Sequence, residues 1–362
     1  MKQAATARIP RVLHILPHPG GGGEVLIDLA SRLNGYEHER FYLSASQSPF
    51  RGAPSIVARR FALRRAAAQA DLVHVIGDTA AMLAFHAIEH RPSLFDTQGL
   101  HFLRRARGLP GAVARRRLRA VVAAADCTIC ASRAELDELA ELTAGGAGHL
   151  EHVPNGVPIP ELSADQRASA RAELGLNTGD VAALYLGRLE ERKDPLVAVN
   201  AVERAARRGS PIVLLVAGDG PLAEEVARRA GDTVRPLGFR QDADRLLRAA
   251  DLLVMPSSRE GLSLAVLEAM AHGVPAVVSD GPGNPDAVGD SGLVFPTGDV
   301  GALEEALVRL ARDESERRRL GSAARERAIR EFALDRYLAD VNRLFESVLA
   351  TATGPGGAGV RA

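Results

Sequence analysis

Residues 257–280, which read SSREGLSLAVLEAMAHGVPAVVSD, decide the fold of this chain. Residues 251–255 before them, which read DLLVM, predict a short buried strand, and residues 274–278 predict the next strand. Between the two, residues 264–272 are apolar over too long a run for a strand and predict a helix that ends at Gly273. This order predicts parallel strands, and open α/β sheets bind ligands at the carboxyl ends of such strands.

Two glutamates in this stretch are candidates for ligand contacts. Glu260 is expected in the loop after the first strand, and Glu268 on the helix among Ala, Val, Leu and Met side chains. A buried carboxylate is costly without a partner, so Glu268 either pairs with a buried Arg or a backbone amide, or binds ligand hydroxyls. The amides of residues 262–264 are expected at the helix N-terminus, where unpaired N–H groups and the helix dipole favour an anion.

The spacing of Glu260 and Glu268, the apolar helix and the following Gly-x-Pro strand together resemble a known signature. It is the Glu-x7-Glu signature of retaining glycosyltransferases with the GT-B fold, above all glycosyltransferase family 4. The resemblance implies an α/β fold of two Rossmann-like, doubly wound domains that face a cleft. It also implies that Glu260 contacts the transferring sugar and Glu268 the nucleotide ribose. The donor-binding residues that it implies around this loop are Gly261, Leu262, Ser263, Leu264 and Glu268.

The composition limits the classes of protein that remain. A length of 362 residues favours two domains over one, and 46% hydrophobic residues suffice for packed cores. A formal net charge of zero gives no overall field that would attract nucleic acid, so no such partner is expected. No apolar run is long enough to cross a bilayer and no signal peptide is recognised, which favours a cytoplasmic protein.

The two cysteines, Cys127 and Cys130, are expected to be core residues. Their Cys-x-x-Cys lies in a predicted strand, where positions i and i+3 point to opposite faces, so a shared metal ion or redox pair is not expected. Two cysteines also fit a reducing compartment better than a disulfide framework.

The first half of the chain begins with a strand at residues 11–16 and a glycine run at residues 20–23. Glycines allow a ligand to approach the backbone closely, although a flexible turn is the simpler interpretation. A nicotinamide dinucleotide site is disfavoured because residues 41–46 lack the acidic residue expected for the ribose. The resemblance places donor contacts on Gly20, Gly21 and Gly22.

Residues 97–101, which read TQGLH, depart from the family pattern. Family members often carry a histidine just before this glycine, and it touches the donor sugar. Here that position is Gln98, and the nearest histidine is His101. Either residue is therefore a candidate for a sugar or acceptor contact.

Arginines accumulate between Asp96 and Asp126, where no acidic residue occurs. They are Arg104, Arg105, Arg107, Arg115, Arg116, Arg117 and Arg119. A solvated helix face is the usual explanation of such a run. The alternative is a surface for an anionic acceptor or for peripheral contact with an anionic membrane, at the inner face if the protein is cytoplasmic.

Residues 152–160 contain three prolines and a glycine, which suits an interdomain connection. We therefore expect an N-terminal Rossmann-like acceptor domain at residues 1–157 and a sugar-nucleotide-binding domain at residues 158–336. The amphipathic segment 337–350 is expected to be a closing helix that packs back on the first domain. Residues 351–362 are expected to be a disordered tail.

Arg188 and Lys193 flank the loop after a predicted strand at residues 181–186. The family's Gly-Arg-Leu…Lys pattern places both on the donor diphosphate. The composition supports this separately, because among 45 cationic side chains only Lys2 and Lys193 are lysines. A chain so biased to arginine has kept one internal ammonium, as a point-charge phosphate contact would require.

The second half also contains residues 237–240, where the resemblance implies that the backbone near Phe239 and Arg240 holds the nucleotide base. Taken together, the resemblance to the family implies a retaining, hexosyltransferase-type enzyme that uses a nucleotide-sugar donor. Glu260, Arg188 and Lys193 are its predicted catalytic residues, and no metal or other cofactor is expected. Two alternatives remain: a non-catalytic sugar-nucleotide-binding protein, and a nucleotide-sugar epimerase of the same fold.

Overall fold

The computed structural model describes residues 8–19, 22–44, 53–144, 146 and 148–353, with the side chains of 53–58 and 353 excepted. The chain divides into two compact units. Unit 1 comprises Met1–Pro154 and Tyr337–Ala362, and unit 2 comprises Asn155–Arg336. The first boundary lies within the proline-rich segment 152–160, where regular structure is prevented.

Unit 1 alternates strands and helices. Its strands in the described residues are β1 (Arg11–Leu16), β2 (Glu37–Tyr42), β3 (Leu72–Ile76), β4 (Ser93–Asp96), β5 (Cys127–Cys130) and β6 (Leu150–His152). Its helices are α1 (Gly22–Ala30), α2 (Ala53–Gln69), α3 (Asp78–Leu83), α4 (Phe85–His90), α5 (His101–Arg105), α6 (Gly108–Ala124) and α7 (Arg133–Thr143).

The six strands form one parallel sheet in the order β2-β1-β3-β4-β5-β6. The order reverses between β1 and β3, which makes that point the topological switch of the sheet. Helices α2, α4, α6 and α7 pack on a core that includes Leu63, Phe95 and Leu118. Strand β5 is fully buried, which confirms the prediction that Cys127 and Cys130 are core residues.

Unit 2 repeats this alternation. Its strands are β7 (Val181–Leu186), β8 (Ile212–Ala217), β9 (Val234–Gly238), β10 (Leu252–Met255), β11 (Ala276–Ser279) and β12 (Leu293–Phe295). Its helices are α8 (Ala164–Glu173), α9 (Pro195–Arg207), α10 (Ala223–Ala227), α11 (Ala243–Ala249), α12 (Leu264–Ala271), α13 (Asn284–Val288), α14 (Val300–Arg312) and α15 (Glu314–Glu331), with a 3₁₀ turn at Gly289–Ser291.

The strands of unit 2 also form a parallel sheet, in the order β12-β11-β10-β7-β8-β9. Counted from β7, this is the doubly wound dinucleotide-binding order, and it reverses between β7 and β10. Strands β8, β10 and β11 are buried along their whole length, as expected for strands covered by helices on both faces. The doubly wound α/β fold predicted from the sequence is therefore confirmed.

The last helix, α16 (Leu334–Thr353), crosses the boundary between the two units along the chain. Within unit 1 its Phe345 ring packs 5.7 Å from the ring of His74 on β3. The helix continues through residues 351–353, so the expected disordered tail does not begin at residue 351. Residues 351–353 contain no glycine or proline, the residues that most disfavour a helix. Residues 354–362 lie outside the described part of the chain.

Candidate donor-binding site

The switch point of unit 2 brings two predicted residues into contact. Lys193 follows β7 and Glu260 follows β10, two strands that are neighbours in the sheet. The Nζ atom of Lys193 lies 2.7 Å from Oε1 of Glu260, and both side chains are largely buried, with 15% and 7% of their surface exposed. The sequence separates these residues widely, and only the sheet order brings them together.

Arg192 extends this pair into a row of alternating charges. Its Nη1 lies 3.4 Å from Oε2 of Glu260, and its Nη2 lies 3.0 Å from Oε1 of Glu190. Arg188 joins the row through its Nε, 3.5 Å from Oε2 of Glu190. Three cations and two carboxylates leave one net positive charge at the carboxyl edge of the sheet. An anion bound there would complete the neutralisation.

The charge state of Glu260 follows from these neighbours. Burial alone would raise the pKa of Glu260, but the cations of Lys193 and Arg192 outweigh it and lower that pKa to about 2. Glu260 is therefore a carboxylate at any physiological pH. Each of its oxygens lies within ion-pair distance of a cation.

Buried polar contacts hold the loop that carries Glu260. Its backbone N–H donates to the carbonyl of Pro282 at 3.0 Å. The amide of Asn155 donates to the carbonyl of Leu262 at 3.1 Å, and Asn155 is 1% exposed. A Cβ atom at Gly283 would lie 2.1 Å from the carbonyl oxygen of Gly261, so only glycine fits there. The glycine-rich turn after β11 therefore supports the loop directly.

Helix α12 begins at Leu264, with Ser263 as its N-cap residue. The Ser263 side chain makes no capping hydrogen bond, so the first amides of the helix are not satisfied by it. Gly273, the predicted helix end, adopts φ of 70° just after the helix, as a terminating glycine does. Residues 262–264 therefore lie at the N-terminus of the helix, where the sequence predicts an anion site.

Glu268 lies on α12 among buried neighbours that include Leu267 and Ala269. Burial raises the pKa of Glu268 to about 7. Within the described residues, no hydrogen bond or ion pair is recorded for its carboxyl group. The structural interpretation, a Glu paired with a buried Arg or amide, is thus not supported by the described contacts.

The ends of β7 and β8 also meet through glycines. A Cβ atom at Gly218 would lie 1.8 Å from the carbonyl oxygen of Gly187, and one at Gly220 would lie 2.5 Å from that of Leu189. Beyond β9, the Phe239 side chain is 71% exposed. Arg240 is held by Asp242, with a distance of 2.7 Å from its Nε to Oδ1.

The candidates in unit 1 lie partly outside the described residues. Gly20 and Gly21 are among the residues that the structure does not describe, whereas Gly22 opens α1 and is exposed. Gln98 follows β4 with φ of 44°, and its Nε2 donates to Oδ1 of Asp96 at 2.9 Å. His101 packs on Gly99, where a Cβ atom would lie 2.3 Å from the ring.

The arginines of this run in unit 1 do not form one continuous exposed surface. Arg104 pairs with Glu138 at 2.8 Å and is only 9% exposed. Arg117 stacks on Phe85, 4.8 Å from the ring centre, and Arg119 donates to the Leu142 carbonyl at 2.5 Å. The arginines that remain exposed, with no partner recorded among the described residues, are Arg105, Arg107, Arg115 and Arg116.

Sequence reasoning missed Glu190, Arg192 and Asn155 in the unit 2 site. Arg192 stands beside Lys193, but in a chain this rich in arginine its position carried no distinguishing signal. Asn155 lies in the proline-rich connection and was considered only as part of a boundary. A polar amide between a proline and a glycine in a segment of hydrophobic residues was the available signal, since a buried amide needs a partner.

Other features of the described residues involve side chains that are not part of this site. A cavity of about 380 Å³ in unit 2 is lined by residues at the opposite edge of the sheet, including Asp251, which pairs with Arg167. Two groups have metal-ligating side chains close together: His86, Glu89 and His90, and Cys127, His149 and Glu151. Both groups are in unit 1. No helix in the described part of the chain has the length and apolar character needed to cross a membrane.

Two Rossmann-like sheets in one chain, with a charged switch point in the second, are features of GT-B-fold glycosyltransferases. Residues 19–160 match Glycosyltransferase Family 4, and residues 180–313 match Glycosyl transferases group 1. The chain therefore belongs to glycosyltransferase family 4, the glycosyl transferases group 1.

Curated relatives of the chain are similar over part of their length. The D-inositol 3-phosphate glycosyltransferase of Saccharomonospora viridis is 34% identical over 229 residues, covering 58% of this chain and 53% of the relative. The D-inositol 3-phosphate glycosyltransferase of Streptomyces avermitilis is 35% identical over 228 residues, covering 58% of this chain and 49% of the relative. The matched part thus spans about half the length of these relatives.

Solved structures support the fold over nearly the whole chain. Sucrose-phosphate synthase from Thermosynechococcus elongatus superimposes with a TM-score of 0.78 at 21% identity, covering 94% of this chain and 100% of that one. Anabaena HepE in complex with UDP gives a TM-score of 0.74 at 19% identity, covering 93% of this chain and 100% of HepE.

Proposed function

We propose that the protein transfers a sugar from a nucleotide-sugar donor to an acceptor. The observation that carries this proposal is the row of charges at the switch point of unit 2, which is built around the buried Lys193–Glu260 pair and has one net positive charge. A nucleoside diphosphate is the anion that such an edge of a doubly wound sheet suits. Solved structures similar to the chain include HepE complexes with UDP and with UDP-glucose, which supports a nucleotide-sugar donor.

The site residues then take distinct roles. Lys193 and Arg188 neutralise the leaving diphosphate, and the first amides of α12 add fixed donors to it. Arg192 holds Glu260 in place from the other side. Glu268 accepts hydrogen bonds from ribose hydroxyls, because its carboxyl group is half-buried on α12 and available to a ligand. These fixed cations replace a divalent ion in stabilising the leaving group.

We also propose that the reaction retains the configuration of the sugar. Glu260 is a poor nucleophile because both its oxygens lie at ion-pair distance from cations. The acceptor hydroxyl oxygen would instead attack the anomeric carbon on the face that the diphosphate leaves. As the bond to the diphosphate breaks, the hydroxyl proton passes to an oxygen of that diphosphate. Glu260 stabilises the positive charge that develops on the sugar.

Incubation with a panel of nucleotide sugars tests the proposal and separates it from the alternatives. A transferase produces the nucleoside diphosphate by transfer or hydrolysis, an epimerase yields an isomeric donor, and a binding protein only gains thermal stability. The variant Glu260→Gln should lower kcat, while Glu268→Gln should mainly raise the donor KM. Proton NMR of the anomeric signal in the product checks retention. Binding without turnover of any donor would exclude the transferase.

We further propose that α6 makes peripheral contact with an anionic membrane. Leu109 and Val113, one helical turn apart, are 78% and 61% exposed. Exposed Arg115 and Arg116 follow on the same helix, and Arg105 and Arg107 precede it. Exposed apolar side chains beside arginines are the composition that binds the interface of an anionic bilayer.

A further inference from the structure

Three histidines form a row across the sheet of unit 1, in which His14 and His74 are buried and His38 is half-buried. His14 on β1 lies between His74 on β3 and His38 on β2. The Nδ1 atoms of His14 and His74 are 3.1 Å apart, and Nε2 of His14 is 2.9 Å from Nδ1 of His38. The row ends on one side at the Leu33 carbonyl, 3.3 Å from Nε2 of His38. On the other side, Nε2 of His74 faces Oδ2 of Asp96 at 3.9 Å.

The Leu33 carbonyl determines which nitrogen of each ring carries a hydrogen. A carbonyl only accepts, so Nε2 of His38 donates to it, and Nδ1 of the neutral His38 ring accepts from Nε2 of His14. Nδ1 of His14 then accepts from Nδ1 of His74, which leaves Nε2 of His74 without a hydrogen. Burial keeps the rings neutral, since it lowers the pKa of His14 well below its ordinary value and the pKa of His74 to about 4.

An ionised Asp96 would therefore place two acceptors face to face. Neither Nε2 of His74 nor Oδ2 of Asp96 has a hydrogen-bond partner among the described residues, and each side chain is 1% exposed. Two buried unsatisfied acceptors are costly. A single proton between them satisfies both atoms, once a small side-chain rotation brings them within hydrogen-bond distance. Burial also raises the pKa of Asp96 to about 7.

We propose that Asp96 and His74 share one exchangeable proton, and that its loss changes how firmly Asp96 holds Gln98. Oδ1 of Asp96 accepts a hydrogen bond from Nε2 of Gln98 at 2.9 Å. An ionised Asp96 makes this a stronger, charge-assisted bond, whereas a protonated Asp96 turns toward His74 and holds Gln98 through a neutral one. Asp96 is thus a positioning residue for Gln98.

The loop that contains Gln98 depends on such support. Gln98 and Leu100 have φ of 44° and 39°, a left-handed conformation that costs free energy in residues other than glycine. Two further buried carboxylates hold the loop: Asp78 accepts from the amide of Phe102 at 2.8 Å, and Glu135 accepts from the hydroxyl of Thr97 at 2.7 Å. Any effect of the proton on ligand binding rests on the proposed function, but the shared proton itself does not.

The groups around Asp96 and His74 shift the pKa values of this buried cluster in defined directions. Glu135 on α7 raises the pKa of Asp96 as a like charge. Arg40 on β2 lowers the pKa of His14 and of His38. Cys130 on β5 is a buried thiol whose pKa is raised, so it stays uncharged. Helix α16 contributes the Phe345 ring, an apolar cover over His74.

Nitrogen-15 NMR of histidine-labelled protein tests the shared proton without any substrate. At pH 8, His38 and His14 should carry their hydrogen on Nε2 and His74 on Nδ1. The carboxyl carbon of Asp96 should titrate near pH 7, and the Asp96→Asn variant identifies its signal. A His74 ring protonated on Nε2 at pH 8, or an Asp96 carboxyl that titrates below pH 5, would overturn the proposal.

Kinetics test the positioning role. In Asp96→Asn, the amide donates to His74 while its oxygen accepts from Gln98, which mimics the protonated state. Wild type should show a KM about fivefold lower at pH 8 than at pH 6, because a hydrogen bond to an ionised acceptor is stronger than one to a neutral acceptor. Asp96→Asn should lose this difference. Asp71→Asn, at the amino-terminal end of β3, is the control and should keep the pH dependence of KM. An unchanged profile in Asp96→Asn rejects the positioning role. A confirmed shared proton without turnover of any donor rejects the proposed function instead.

Discussion

Lys193 is the residue whose replacement bears most directly on the donor site. Its ammonium lies 2.7 Å from Glu260, the shorter of the two ion pairs of that carboxylate. Its three N–H donors allow it to bind a phosphate as well. An alanine at this position removes one positive charge from the proposed diphosphate site and leaves Arg192 at ion-pair distance from Glu260.

We expect Lys193→Ala to lower kcat/KM about 100-fold or more, as for other lost transition-state charge contacts. Steady-state kinetics with the identified donor measure this loss, and a thermal melt shows that the variant is folded. Lys2→Ala removes the other lysine and should behave as wild type. Wild-type turnover by Lys193→Ala would remove Lys193 from the site.

At this scale the sequence predicted Lys193 and Glu260, because a motif and a rare residue type marked them. It did not predict the row that joins them to Arg192 and Glu190. Such a row depends on side-chain directions at the ends of two strands that are distant in sequence, and local spacing does not encode those directions.

Among the elements, α6 carries an exposed apolar pair that unit 1 does not use for its core. Leu118 and Val121 of this helix are buried, whereas Leu109 and Val113 face outward. The sequence alone marked the arginines of the region and not these two side chains. Which face of the helix is buried follows from its packing on the sheet, and the helix is too rich in alanine and arginine for its sequence to fix that face.

The variant with Leu109→Ser and Val113→Ser should bind anionic vesicles more weakly than wild type, because it loses the side chains that insert into the bilayer interface. Sedimentation with phosphatidylglycerol-containing vesicles, compared with phosphatidylcholine alone, measures the bound fraction. Wild-type binding should also fall at high salt.

Ile329→Ser on α15 is the matched control, since Ile329 is 50% exposed and lies in unit 2. It should not change the bound fraction. Equal, salt-independent recovery of wild type in the supernatant would leave the arginines of α6 as a solvated helix face.

The order of elements was predictable where strands are buried on both faces. Strands β8 and β10 appear in the sequence as continuous apolar runs. Strand β2 is at the edge of its sheet, and its sequence EHERFY is largely polar, so periodicity gives little signal there. The second sheet was therefore clearer from the sequence than the first.

On the scale of the whole molecule, the buried carboxyl groups set opposite trends of stability with pH. The pKa of Glu260 is lowered to about 2, so its contribution is present above pH 4.5 and is lost as the pH falls toward 2. The pKa of Glu268 is raised to about 7, so between pH 4.5 and 7 the folded state binds more protons than the unfolded one. The contribution of Glu268 to the free energy of unfolding therefore falls as the pH rises through that range.

Glu268→Gln should consequently stabilise the ligand-free protein at pH 8, by about 3 kcal/mol, and much less at pH 5. For a unit of this size the melting temperature at pH 8 should rise by roughly 5 °C or more. Thermal melts at both pH values measure this difference. Glu326→Gln, an exposed glutamate on α15, is the control and should shift neither melt. An equal shift of Glu268→Gln at both pH values would contradict the raised pKa.

The scarcity of lysine has a practical consequence. Apart from the amino terminus, the chain offers only two primary amines, at Lys2 and Lys193. Reductive methylation with ¹³C-formaldehyde would thus attach isotopic labels at Lys193 and very few other places. Because the Lys193 amine lies against Glu260, its dimethylammonium signal would sense any anion that arrives there. A protein of this composition carries its own spectroscopic reporter at the proposed donor site, and no cysteine needs to be introduced.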